Sequence, residues 1–100
     1  MTAPPNVLIL MSDQHNKSMM GCAGDSIVHT PRLDQLAAQG SLLENAYCNF
    51  PLCVPSRMSF MTGQYPYELG IYSNYDQLPS DTPTFAHAFS AAQYQTILSG

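Results

Sequence analysis

Charge is what this chain has least of. Asp, Glu, Lys and Arg make up 10% of its 100 residues, against roughly 25% in soluble globular domains. Apolar residues stand at an ordinary 45%, so polar cover for a free-standing surface is thin. Cations are scarcer still: three Lys and Arg against seven Asp and Glu give a formal charge of −4. There is no basic run or arginine stripe of the kind a nucleic-acid binder needs, which excludes nucleic acid as an expected partner. Long apolar runs are missing too. The longest near the start, residues 7–11, falls far short of the about 20 residues that span a bilayer as a helix, and it lacks the basic leader of a secretory signal. The chain reads as soluble, cytoplasmic and without a membrane partner. Its cysteines, Cys22, Cys48 and Cys53, are odd in number and show no Cys-x-x-Cys spacing, which argues against a disulfide framework and a structural zinc site. Cys22 and Cys48 read as buried small hydrophobes. Internal repeats and low-complexity segments are absent.

What is present is an alternation of apolar runs and capped helical patterns. Residues 7–11 form a short continuous apolar run with β-branched members, suited to a strand covered on both faces of a parallel sheet. Thr30 can cap a helix begun by Pro31, with Leu33, Leu36 and Ala37 at core-facing spacing and Gly40 ending it. Residues 41–47 read as extended. Residues 64–79 carry Pro66, Gly70, Asn74 and Pro79 and read as loop-rich. Thr82-Pro83 repeats the cap-and-proline signal ahead of Phe85, Ala86, Phe89 and Ala92 at helical spacing, and residues 95–99 read as another strand, one that expects neighbours. Strands alternating with capped helices indicate an α/β layered fold with a mainly parallel sheet flanked by helices. In such sheets ligands gather at the carboxyl ends of strands, and Asp13-Gln14 lies just past one.

The most constrained segment is Cys53-Val54-Pro55-Ser56-Arg57, continuing through Met58-Ser59-Phe60-Met61 to Thr62-Gly63. Proline is tolerated at the first helical position and Gly63 can close a short helix in the left-handed conformation, so a thiol stands just ahead of a helix and a guanidinium one turn inside it. The free N–H groups of that helix start attract negative charge, which makes the segment a site for an oxyanion. Each residue also has a plainer reading. Cys53 by itself is a small apolar side chain, and Arg57 a solvated helix-surface cation, although it is one of only three basic residues. Ser56 either caps the first turn or orients a reacting group. Asp13 either binds a hard divalent cation or caps a turn. Asn74, in Tyr72-Ser73-Asn74-Tyr75-Asp76, is a turn former. Tyr65, Tyr67, Tyr72 and Tyr75 either form an aromatic wall suited to an alkylammonium group or belong to a buried loop. His15, His29 and His87 have no mutual ligand spacing; His15 follows the possible metal segment, and His87 falls mid-helix.

The Cys53 segment resembles the signature of the sulfatase family, in which this cysteine is oxidised after translation to formylglycine. Residues 5–14, ending in Ser12-Asp13-Gln14, look like the family's first strand with its metal ligands, and residues 30–40 look like its first helix. The resemblance spans essentially all 100 residues. It implies an alkaline-phosphatase-like fold several times longer, of which residues 1–100 would be the amino-terminal part of the catalytic domain. It further implies hydrolysis of a small-molecule sulfate ester, with a divalent metal (Ca, Mn or Mg) held by Asp13, Gln14 and the converted Cys53. The hydrated aldehyde offers two hydroxyls on one carbon: one attacks sulfur and expels the alcohol, and the other, deprotonated, collapses the adduct, releases sulfate and restores the aldehyde. Arg57 would offset charge in that transition state, and Asn74 would contact oxygens of the transferred group. A formylglycine-generating enzyme acting on the unfolded chain is an implied partner. Many sulfatases carry a second aspartate where this chain has Gln14, which brings no charge. The departure is similar to the choline-sulfatase and phosphonate-monoester-hydrolase branches, so the alternatives are a phosphonate monoester or phosphodiester hydrolase with the same nucleophile, or a chain that is inert in isolation.

Overall fold

The computed structural model describes residues 4–100. The chain divides into two compact units, one running to Ala46 and the other spanning Tyr47–Gly100.

In the first unit Pro31 opens helix α1, Pro31–Gln39, as its fixed φ favours. Thr30 stands at the cap position, yet its hydroxyl is turned elsewhere. It accepts from the Gly21 N–H at 2.8 Å and donates to Asp34 Oδ1 at 2.9 Å, and the same carboxylate oxygen accepts from the Cys22 N–H at 2.7 Å. These bonds seat α1 on a single 3₁₀ turn, Gly21–Ala23. A Cβ at Gly21 would lie 2.7 Å from Asp34 Oδ2, so a larger residue there would push the carboxylate aside and disturb the bonds it accepts. The inward residues of α1 are therefore Asp34 and Ala37, both half-buried, while Leu33 and Leu36 are 39% and 61% exposed. This corrects the leucine face expected from spacing: a polar contact, not an apolar stripe, orients the helix. Gly40 ends it, but at φ −125°, outside the left-handed region.

No β-strand forms among the described residues of either unit. The strands expected at 7–11 and 95–99, and the extended segment at 41–47, carry no ladder; Leu8 and Leu10 are 81% and 79% exposed, Ile97 and Leu98 80% and 98%. A strand exists by hydrogen-bonding to a neighbour, and parallel pairing needs a partner brought by a long crossover. Extended backbone that meets no second edge stays unpaired, so the mainly parallel sheet is not formed and the described elements are helical. No described helix is long and apolar enough to cross a membrane.

The second unit is built on α2, Cys53–Thr62, followed by α3, Pro66–Leu69, inside the stretch expected to be loop, and α4, Phe85–Ala91. Gly63 closes α2 at φ 72°, ψ 10°, its N–H donating to Ser59 O at 2.8 Å, as its place in the sequence predicts. Glu68 caps α3 by accepting from the Tyr65 N–H at 2.8 Å. α4 starts later than the Thr82-Pro83 signal suggests. Its cap is Thr84, whose N–H donates to His87 Nδ1 at 3.1 Å, with the Thr84 hydroxyl 2.9 Å from the same nitrogen. His87 thus holds the first turn of the helix rather than its middle. The core of this unit gathers Ile71, 1% exposed, with buried Pro55, Pro66 and Ser59. Beside it an edge-to-face chain of rings runs Phe60–Phe85–Phe89–Tyr94 at centroid separations of 5.6, 6.4 and 5.1 Å. Such pairs add about 0.5–1.5 kcal/mol each beyond the area they bury.

Candidate active site

The backbone enters α2 from Leu52 in an extended conformation, φ −143° and ψ 143°, and turns helical at Cys53. The first bond inside the helix runs from the Ser56 N–H to Leu52 O at 3.0 Å. Pro55 is accordingly the third helical residue, not the first, and Cys53 opens the helix instead of standing ahead of it. The physical reason is that no N–H of the first turn has a carbonyl four residues back within the helix, so proline costs nothing at any of those places. Pro55 is less than 2% exposed, while the Cys53 and Arg57 side chains are exposed. Four residues apart on one helix, these two share a face.

Three polar contacts from flanking loops fix the helix. Cys48 Sγ lies 3.0 Å from Ser56 Oγ, and that hydroxyl holds the Cys48 thiol below the ordinary thiol range. Asn49 Nδ2 donates to Ser59 Oγ, on a residue only 5% exposed. From the far side, the Val54 N–H donates to Asn74 Oδ1 at 3.0 Å. Ser56 thus anchors a thiol rather than capping the turn, and Cys48 is an exposed hydrogen-bonding group rather than a buried hydrophobe. Cys22 is half-buried, and burial pushes its thiol up.

Asn74 caps α2 from twenty residues downstream, one residue from Cys53. Its own turn is held by Asp76, whose Oδ2 accepts from the Tyr72 and Ser73 N–H groups, both at 2.7 Å. Those donors, Tyr72 first, hold the Asp76 carboxyl below the usual carboxylate range. With its carbonyl end committed to Val54, the Asn74 side chain has only N–H groups to offer an anion. The structure therefore brings together Cys53, Arg57 and Asn74, all within the second unit. Asn49 and Asp76 were missed in the sequence. Ser73-x-x-Asp76 is a turn-forming spacing that could have flagged the second, whereas nothing local marks Asn49.

Asp13 and Gln14 belong to the first unit, at a turn directly after the apolar run. Gln14 sits at φ 53°, a left-handed conformation few side-chain-bearing residues adopt. Among the described residues no three His, Cys, Asp or Glu side chains gather where they could hold a metal ion. A carboxylate beside an amide oxygen is nonetheless the hard-oxygen donor type that Ca, Mg or Mn accept, so the pair fits such an ion in kind, as part of a fuller set. His15 places Nε2 3.0 Å from Met19 O. The exposed tyrosines do not form a buried loop: Tyr65 and Tyr67 stack at 5.6 Å, and Tyr72 and Tyr75 are 57% and 94% exposed.

A family model described as Sulfatase matches residues 5–100. A choline-sulfatase of Rhizobium meliloti is 40% identical over 99 residues, which cover 99% of this chain and 19% of that protein. An N-acetylglucosamine-6-O-sulfatase of Bacteroides thetaiotaomicron is 33% identical over 99 residues, 99% of this chain and 18% of its own length. Human arylsulfatase A is 35% identical over 103 residues, 97% of this chain and 20% of that protein. The chain thus spans about a fifth of the length of these curated relatives. No solved structure gives a significant match. Across nearly its whole length, with Cys53, Pro55 and Arg57 placed on the opening turns of α2, the chain belongs to the sulfatase family.

Proposed function

We propose that residues 1–100 are the amino-terminal part of a sulfuric ester hydrolase acting on small-molecule sulfate esters, with Cys53 the precursor of its nucleophile. The observation that carries this reading is Cys53 and Arg57 sharing one exposed face of α2 while Asn74 caps the same turn. Once converted to formylglycine and hydrated, residue 53 supplies a carbon bearing two hydroxyls, one to attack and one to release. Arg57 offers a planar cationic fork to the sulfate oxygens, and Asn74 donates its amide N–H groups to them. Asp13 and Gln14, in the first unit, would hold a divalent cation, Ca, Mn or Mg, whose chemistry in such a hydrolase is that of a Lewis acid. The sheet of an alkaline-phosphatase-like fold would take residues 7–11 and 95–99 as strands and cover the apolar side chains now exposed there.

Conversion belongs before folding. Pro55 is less than 2% exposed in the second unit, which supports a formylglycine-generating enzyme that reads Cys53 to Arg57 in the unfolded chain. The test is expression of the full-length protein with such an enzyme, then mass analysis of the Cys53 peptide and turnover of an aryl sulfate. The expected result is an aldehyde in place of the thiol, and loss of turnover in Cys53→Ala with the fold intact. Full activity with unmodified thiol would overturn the reading. Gln14 leaves one second reading open: an uncharged donor beside Asp13 makes the metal site less negative, a departure similar to both the choline-sulfatase and the phosphonate-monoester-hydrolase branches. Rates on paired aryl sulfate and aryl phosphonate esters separate the two.

A further inference from the structure

We propose that Asp76 is a positioning residue for the reaction at residue 53, acting through Asn74. The inference rests on the reading above, in which residue 53 carries the nucleophile. An asparagine amide has two faces of opposite character, an oxygen that repels an anion and an NH2 that binds one, and a half-turn about its last bond exchanges them. In this chain the exchange is blocked by the 3.0 Å bond from the Val54 N–H to Asn74 Oδ1, which leaves the NH2 as the end that meets a sulfate oxygen.

That bond needs Asn74 delivered to the start of α2, and the delivery is the work of the turn at residues 72–76. Asn74 is exposed, so packing does little to hold it. The turn is fastened by one carboxylate: Asp76 Oδ2 takes the Tyr72 and Ser73 N–H groups at 2.7 Å each, and Ser73 Oγ accepts from the Tyr75 N–H at 3.2 Å. Bonds from backbone N–H groups to an ionised carboxylate are shorter and about twice as strong as neutral ones, and these two lie immediately before Asn74. Removing the carboxylate frees both amides, lets the turn relax, and leaves the Asn74 side chain free to present its oxygen to the developing charge. A displacement of about 1 Å in such a group can cost on the order of 100-fold in rate.

The experiment uses the full-length, converted enzyme and an aryl sulfate. Asp76→Ala is expected to lower kcat about 10-fold to 100-fold with KM changed less than about twofold, and Asp76→Asn, which keeps a carbonyl acceptor, to recover part of the loss. Asp25→Ala is the control: Asp25 accepts from the Ile27 and Val28 N–H groups at 2.8 and 2.9 Å in a similar turn of the first unit, and its loss should leave kcat unchanged. Because Asp76 acts through Asn74, the double variant Asp76→Ala with Asn74→Ala should be no slower than Asn74→Ala alone. Additive losses, or a kcat in Asp76→Ala equal to the Asp25→Ala control, overturn the proposal while the sulfatase reading stands. Absent turnover by the parent, or full turnover by Cys53→Ala, overturns that reading and this inference with it.

Discussion

At φ 72° Gly63 occupies backbone space that a Cβ makes costly. Nothing lies within 4 Å of where that Cβ would stand, so the cost of Gly63→Ala is conformational alone. About 1 kcal/mol of lost stability is expected in the full-length protein, read as a lower urea midpoint at unchanged slope. Asp76 makes a prediction of another kind. Its two amide donors lower its pKa in the folded state, so the stabilisation they provide is present above the unfolded carboxylate value of roughly 3.9 and is lost as pH falls through the lower, folded value. The Tyr72 and Ser73 amide resonances should titrate together with a midpoint below about 3.9; a midpoint at or above it would mean the carboxylate is not held by these donors. The role of Gly63 was legible in the sequence because a helix stop depends on one residue and its neighbours. The contacts of Asp34 and Asn74 were not, since their partners, Cys22 and Val54, lie 12 and 20 residues away and no periodicity links them.

Helices were readable as elements more reliably than as boundaries. Proline and a hydroxyl residue mark a helix start only to within a turn, since the first N–H groups are unpaired and proline fits at any of them. So α2 begins two residues before its proline and α4 two residues after Pro83. The second case can be tested directly. In α4 a histidine stands where a capping box ordinarily has Glu or Gln, three residues after the cap. Thr84→Ala removes the hydroxyl and His87→Ala removes the acceptor of the Thr84 N–H. Each should cost about 1 kcal/mol, and because the two side chains share one contact the double variant should cost less than the sum. Thermal unfolding of the four-member cycle decides it: no loss in His87→Ala would show that the histidine does not cap, and strict additivity that the two side chains do not share a contact.

For the whole chain, the helical part of the expected α/β pattern was legible in the capped helical segments, while the expected strands do not form among the described residues, because a sheet depends on partners that no single run encodes. Residues 7–11 have the composition of a doubly covered strand and yet Leu8 and Leu10 stay largely exposed, as Ile97 and Leu98 do at the other end. Among the described residues the buried apolar core amounts to Ile71 with two prolines. Burying one such aliphatic side chain contributes about 1.5–3 kcal/mol, while ordering each residue costs about 1–2 kcal/mol in backbone entropy alone. Residues 1–100 expressed by themselves are therefore expected to bind an apolar dye strongly and to unfold over a broad, non-cooperative range, with no more helix by circular dichroism than α1 to α4 supply. The full-length protein should show weak dye binding and a sharp transition, because sheet neighbours would cover residues 7–11 and 95–99. A sharp two-state melt of the 100-residue chain with little dye bound would show that these apolar runs find cover within it, and would remove the reason for placing them in a larger sheet.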